Sequence, residues 1–230
     1  MVANLAKTNL VFVFDLDGTL VDTAKTTHHV LSGMIEARGG KPQSMPPIAN
    51  LLSFGGEVLI KSVLGPFSNQ TNDDLIEFRQ RLLQIPIPEA DIYSGIKHLL
   101  QILIDKKYVL AVCTNKPQNL AEKTLADVGL KSLFSCIVGS TSSIEKKPDI
   151  AMLTKIKRTL GCRMSDLVLI GDSEVDQETA HNARIPYVHF LHGYGELRSD
   201  ISQPFHIFKE IDETAFMYFS GLKASGLNRS

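Results

Sequence analysis

The sequence predicts an α/β fold: a doubly wound parallel sheet interrupted by a small α-helical insert. Three observations lead there. A short, wholly apolar run, Leu10 to Phe14, ends abruptly in Asp15 and Asp17. From Ile92 onward, short apolar runs alternate with stretches of helical period nearly to the C-terminus. Between these regions, residues 22–90 carry helical periodicity and little strand signal. An unbroken run rich in Val and Phe suits a central parallel strand, covered on both faces. The alternation suits helices packed on both sides of such a sheet.

Taken in order, the first strand is LVFVF, and Gly18 in the following turn permits unusual dihedrals while Thr19 and Asp22 can satisfy backbone amides. In the insert, Val30, Leu31, Met34 and Ile35 mark one helix, and Leu75, Ile76, Phe78, Leu82 and Leu83 another. KPQSMPPIAN interrupts them and IPIPEAD closes the region. A direct crossover between parallel strands needs nothing this long. Residues 22–90 are therefore expected to form a helical domain hinged near Asp22 and Pro88, with 1–21 and 91–230 forming the α/β core. Ile96 to Ile104 follow helical spacing behind Tyr93-Ser94-Gly95. VLAVCTN (109–115) is the next strand, and Pro117 opens a helix that stops at Gly129. CIVGS (136–140), a helix from about 150 to 160 ending at Gly161, LVLIGDS (167–173), a helix around 175–183, PYVHFL (186–191) and a strand–helix pair within 205–222 complete the core.

Composition excludes several classes. The chain has 230 residues, 43% hydrophobic and 21% charged, which suffices for a buried core. A net charge of −1 offers no broad surface for nucleic acid or anionic membrane. No apolar run reaches the roughly 20 residues of a membrane span. MVANLAKTNL lacks a signal-peptide pattern, and the three cysteines (Cys113, Cys136, Cys162) form no CxxC spacing. Buried free thiols and a cytoplasmic location are expected.

The strand ends carry the chemistry. In open α/β sheets, ligands sit outside the carboxyl ends of the strands. Asp15 stands there on the first strand, Thr114-Asn115 on the second, and Gly171-Asp172-Ser173 on the fourth, with Asp176 four residues past Asp172. EKKPD after the third strand brings Lys146 and Lys147 to the same edge. Each residue has a plain alternative role: Asp172 as a helix cap, Thr114 as a turn hydroxyl, the lysines as solvated surface. Their convergence at successive strand ends suits phosphoryl transfer with Mg²⁺, which takes oxygen ligands and prefers one or two carboxylates plus water and phosphate. The seven His residues are scattered, and His28-His29 would point apart on a helix, so no zinc set is apparent.

DLDGTLVDT (15–23), Thr114-Asn115, Lys147-Pro148 and GDSEVD (171–176) together resemble the four motifs of the haloacid dehalogenase superfamily, in its order, over residues 10–191. The insert resembles the helical cap of its phosphoglycolate phosphatase and β-phosphoglucomutase branch. Within it, SFGGEVLIKSVLG resembles the cap's substrate loop, and HGYGE (192–196) resembles a phosphoglycolate phosphatase feature. The chain departs from the family at Asp149-Ile150, where a second proline is usual, and at Arg184, commonly glycine. The resemblance implies a Rossmann-like core and a phosphate-monoester hydrolase acting on a small phosphorylated metabolite. Asp15 would be the nucleophile and Asp17 the general acid and base. Mg²⁺ would be held by Asp15, the Asp17 carbonyl and Asp172, with Asp176 steering from behind. Thr114, Asn115 and Lys147 would bind the phosphoryl group, with Lys147 favoured over Lys146 by its adjacent proline. Phe54, Gly55 and Gly56 would meet the leaving group. 2-Phosphoglycolate is the favoured substrate; a phosphomutase and an inactive binding protein are the alternatives. An acid at Asp17 disfavours a dehalogenase.

Overall fold

The computed structural model describes residues 10–41, 46–52 and 55–221. Six parallel strands form one sheet in the order β3-β2-β1-β4-β5-β6. They are β1 (Val11–Phe14), β2 (Val109–Pro117), β3 (Cys136–Ser140), β4 (Leu167–Gly171), β5 (Tyr187–Phe190) and β6 (His206–Phe208). The chain winds outward from β1 through β2 to β3, then crosses to β4. The order reverses between β1 and β4, which is where such sheets bind ligands.

The unbroken apolar run of β1 is explained by its two buried faces. Phe12 and Phe14 pack into one cluster with α5 (Ile96–Asp105), α6 (Gln118–Asp127) and α9 (Glu213–Gly221). Val11 and Val13 pack into the opposite cluster with α7 (Ala151–Leu160) and α8 (Glu174–Ala183). Side chains alternate faces along a strand, so a strand covered twice has no polar position to spare.

Among the described residues, four α-helices lie between β1 and α5: α1 (Ala24–Ala37), α2 (Pro46–Leu52), α3 (Gly56–Leu64) and α4 (Thr71–Gln84). Their apolar side chains form a cluster of their own, to which the sheet region contributes Leu120. Val30, Leu31, Met34 and Ile35 are buried on α1 as their spacing predicts. Two sequence expectations change here. The stretch expected to be a substrate loop is helical over Gly56–Leu64, because Leu59, Ile60, Val63 and Leu64 share one buried face. The proline-containing interruption likewise contributes α2, with Pro46 and Pro47 at its start, where a missing N–H costs nothing. Ile76 of the α4 pattern points outward, 53% exposed.

The two segments that join these helices to the sheet lie side by side. Val21 bridges Ile92 in antiparallel fashion, and the Asp22 amide donates to the Asp91 carbonyl at 2.8 Å. All three cysteines are unpaired; Cys113 and Cys136 are buried.

Candidate active site

Asp15 follows directly on β1, tied to β4 by its amide donating to the Ile170 carbonyl at 2.9 Å. Its carboxylate is buried beside Lys147, whose Nζ lies 2.9 Å from Oδ1. This is an ion pair without an aligned donor, since Asp15 Oδ1 lacks a hydrogen-bond partner among the described residues. The same Nζ donates to Asp176 Oδ1 at 2.6 Å. Asn115 fixes Lys147: its amide nitrogen donates to the Lys147 carbonyl at 3.0 Å and its oxygen accepts from the Lys147 amide at 2.8 Å. Asn115 thereby orients the lysine as well as edging the site.

Asp172 directly follows β4, fully buried, and each oxygen has a donor. Thr19 Oγ1 donates to Oδ1 at 2.6 Å and the Tyr194 amide to Oδ2 at 2.8 Å. Ser173 then caps α8. Its hydroxyl donates to Asp176 Oδ2 at 2.7 Å, and the Asp176 carboxylate reaches back toward the Ser173 amide, forming a capping box. One residue thus starts the helix and aims a carboxylate inward. Gly18 has φ +85°, a left-handed conformation, and a β-carbon there would collide with the Asp172 carboxylate and the Tyr194 ring. Arg184 takes the left-handed position at the end of α8, φ 54°, the strained place where glycine is favoured.

Asp15, Asp172 and Asp176 each offer an oxygen within 4.8 Å of the others, all buried. Burial pushes the Asp15 carboxyl up to about 7 against the pull of Lys147, and raises Asp172 well above the usual range, with Asp176 adding repulsion. Three acids facing one ammonium carry excess negative charge in a low-dielectric place. That donor set, oxygen only and under-neutralised, fits a divalent cation.

Asp17 is apart from this cluster. It accepts from Thr23 Oγ1 at 2.6 Å and pairs with Lys116 Nζ at 2.9 and 3.2 Å. It faces a cleft between the sheet edge and the inserted helices, lined also by Gly55, Gly56, Lys116, Lys146 and Arg79. Phe54 lies outside the described residues. Thr114 is buried within β2, where the register with β3 breaks between Cys113 and Pro117. Such bulges re-aim side chains beside active sites. A larger cavity of about 570 Å³, behind α8 at Gln177, His181 and Arg184, touches none of these residues.

Sequence reasoning missed Lys116 and Arg79, and it noted Thr19 and the loop of Tyr194 without foreseeing that both bond Asp172. Lys116 carried a signal, since it directly follows Thr114-Asn115 at a strand end.

A lysine held between buried acids at the reversal point of a parallel sheet suits the binding of an anionic group such as phosphoryl. Comparison narrows this. The model of the haloacid dehalogenase-like hydrolase family matches residues 12–190. The phosphoglycolate phosphatase of Rhodobacter capsulatus is 32% identical over 190 residues, covering 79% of this chain and 84% of that protein. That of Aquifex aeolicus is 30% identical, covering 88% and 96%. The crystal structure of a predicted phosphoglycolate phosphatase from Haemophilus somnus superposes with a TM-score of 0.76 at 24% identity, covering 93% of this chain and 99% of that one. The chain belongs to the haloacid dehalogenase-like hydrolase family and is a phosphoric monoester hydrolase.

Proposed function

We propose that the protein is a Mg²⁺-dependent phosphatase of a small phosphate monoester, 2-phosphoglycolate foremost, working through an aspartyl phosphate on Asp15. The supporting observation is the Asp15 carboxylate, buried at the tip of β1 with Lys147 at 2.9 Å and two further carboxylates behind it. The name shared by the curated relatives supports the choice of substrate.

In this reading a carboxylate oxygen of Asp15 attacks phosphorus in line, forming an O–P bond as the bond to the leaving alkoxide breaks. Asp17 gives that alkoxide a proton, then takes one from the water that attacks the aspartyl phosphate, releasing phosphate and restoring Asp15. Lys147 and the Thr114 hydroxyl bind the phosphoryl oxygens and offset the charge that grows on them. Lys116 and Thr23 hold the Asp17 carboxylate at the mouth of the cleft. Asp15, the Asp17 carbonyl and Asp172 would hold Mg²⁺, with Asp176 fixing Lys147 behind them; bound there, the ion neutralises charge so that a phosphate dianion can approach.

Residues 22–90 act as a cap that closes over the leaving group and excludes water. Unpaired thiols at Cys113, Cys136 and Cys162 suit a reducing cytoplasm. The test is turnover of p-nitrophenyl phosphate with Mg²⁺, extended to 2-phosphoglycolate, sugar phosphates and nucleotides. Preference for 2-phosphoglycolate, with activity lost in Asp15→Asn, is expected. Interconversion of a phosphosugar with its bisphosphate, in place of hydrolysis, would identify a mutase instead.

A further inference from the structure

The cleft above Asp17 is walled by apolar side chains of the insert, among them Leu59, Leu75 and Phe78, yet three cations face it. Lys116 is committed to Asp17. Lys146 reaches across from the sheet edge, its Nζ 3.8 Å from where a β-carbon on Gly55 would stand. Glu57, an acid beside it, is bonded to Lys61 at 2.8 Å. Arg79 comes from α4, one residue past buried Phe78 and four past Leu75, so it shares the helix face that looks into the cleft.

Arg79 is half-buried, and burial lowers its pKa with no charged neighbour acting the other way. Among the described residues no carboxylate or carbonyl bonds to it. The other two arginines of the insert are tied down: Arg38 to Asp74 at 2.8 Å and Glu77 at 2.6 Å, Arg81 to Glu77 at 2.7 Å. Half-burying a guanidinium against leucines without a partner sacrifices hydration for nothing in the protein alone. An anion arriving with the ligand supplies what is missing. The cleft opens at Asp17, the group that protonates the leaving oxygen, so its occupant is the leaving group itself.

We infer that Arg79, with Lys146 opposite, is a subsite for a carboxylate carried by the leaving alcohol. The inference rests on the phosphatase reading above and deepens it, since it names what distinguishes the substrate from other monoesters. The planar guanidinium can grip a carboxylate with two parallel N–H donors, and the apolar walls strengthen that attraction relative to water. Phosphate recognition by Lys147 and Thr114 is common to every monoester; the second anion is where selection occurs.

The experiment compares kcat/KM for 2-phosphoglycolate and ethyl phosphate, which differ by the carboxylate, in the full chain with Mg²⁺. The wild type should favour 2-phosphoglycolate. Arg79→Met should collapse that ratio about 10- to 100-fold, the loss expected for a hydrogen-bonded charge, and raise the inhibition constant of glycolate. Arg79→Lys should restore part of it, and Lys146→Met should lower it less. A folded Arg79→Met that keeps the wild-type ratio overturns the subsite, as does a wild type indifferent to the carboxylate. Should Arg79→Met not fold, Arg79→Lys and Lys146→Met give the same ratio, and unaltered ratios in both overturn it. A preference for bisphosphates that Arg79→Met abolishes would make the anion a phosphate and refute the carboxylate. Turnover of p-nitrophenyl phosphate separates the two readings: if it proceeds while the ratio stays fixed, only the subsite fails; if no monoester is hydrolysed, the phosphatase reading fails and the subsite with it.

Discussion

The hydroxyl of Tyr194 donates to the Asp22 carboxylate at 2.6 Å, and the amide of Tyr194 donates to Asp172 at 2.8 Å. One residue after β5 thus touches both the segment leading into the inserted helices and an acid of the buried cluster. Its ring lies over Gly18, and its hydroxyl also accepts from the Ala24 amide at 3.1 Å. The loop is pinned further by His192, whose Nε2 meets the Thr19 carbonyl at 3.1 Å and whose ring packs on Tyr93.

Tyr194→Phe removes the hydroxyl and leaves the amide on Asp172. Stability should fall by about 1 kcal/mol, the usual worth of a hydrogen bond, in urea unfolding. Turnover of 2-phosphoglycolate should fall severalfold, because the segment entering the insert at Asp22 and Ala24 loses its anchor to the sheet edge. Unchanged kinetics would show that the anchor does not matter to turnover.

Asp15→Asn should abolish turnover, since an amide does not attack phosphorus. Asp17→Asn should spare folding and cost alkyl phosphates more than p-nitrophenyl phosphate, whose leaving group needs little protonation. Steady-state rates on both substrates check this; equal losses would remove Asp17 from the proton-transfer role.

Removing divalent metal with EDTA should stop turnover, and Mg²⁺ should restore it where Ca²⁺ does not, because calcium's looser and longer coordination misplaces phosphate relative to Asp15. Mg²⁺ should also raise the melting temperature, since it relieves repulsion among Asp15, Asp172 and Asp176. Full activity in metal-free buffer would refute the mechanism.

Lys147→Met should destabilise the metal-free protein by about 3–5 kcal/mol, because it strands Asp15 and Asp176 without their cation. Chemical unfolding with and without Mg²⁺ measures the loss, and the ion should return part of it.

His189 is fully buried on β5, with Nδ1 bonded to the Tyr187 hydroxyl at 2.8 Å and Nε2 without a partner among the described residues. Burial holds its pKa down at about 4, partly opposed by Asp176. Between pH 6.5 and 4 the unfolded chain takes up a proton that the folded chain refuses, so this residue lowers stability as pH falls through that window. Asp15 acts oppositely: lifted to about 7, it binds its proton more tightly in the fold and favours the metal-free protein at low pH. The difference between wild type and His189→Gln isolates the histidine. Over pH 7.5 to 4.5 it should shift by roughly 2–3 kcal/mol against the wild type. A flat difference would mean that the imidazole protonates in place.

Much of this architecture was legible because strand burial leaves a plain trace. Leu10 to Phe14 reads as a doubly covered strand since both faces of β1 are apolar, and CIVGS and Gly161 mark their boundaries to the residue. Asp15 and Asp172 directly follow β1 and β4, Thr114 lies in the later part of β2 and Lys147 in the loop after β3, and the edge of a parallel sheet is a place that sequence order predicts. The contacts among them were not legible, because they join positions far apart in the chain. Thr19 meets Asp172 across 153 residues and Lys116 meets Asp17 across 99. Nor does periodicity alone reveal α3, where a glycine pair masks a helix start; Gly55, at φ +95°, precedes the first turn. Arg79 left a trace of another kind, a cation on the face that Leu75, Phe78 and Leu82 otherwise keep apolar.

The pairing of Val21 with Ile92 and of Asp22 with Asp91 means that the chain departs from the sheet and returns at one point. To the sheet, everything in between is a single long loop whose ends already touch. The entropy of closing such a loop grows only with the logarithm of its length. The catalytic edge therefore tolerates inserts of very different size at that one seam, with Asp15 and Lys147 undisturbed. A foreign segment grafted between Asp22 and Asp91 is therefore expected to leave the strands that carry the proposed phosphoryl chemistry in place, and to alter selectivity if that resides in the insert as proposed.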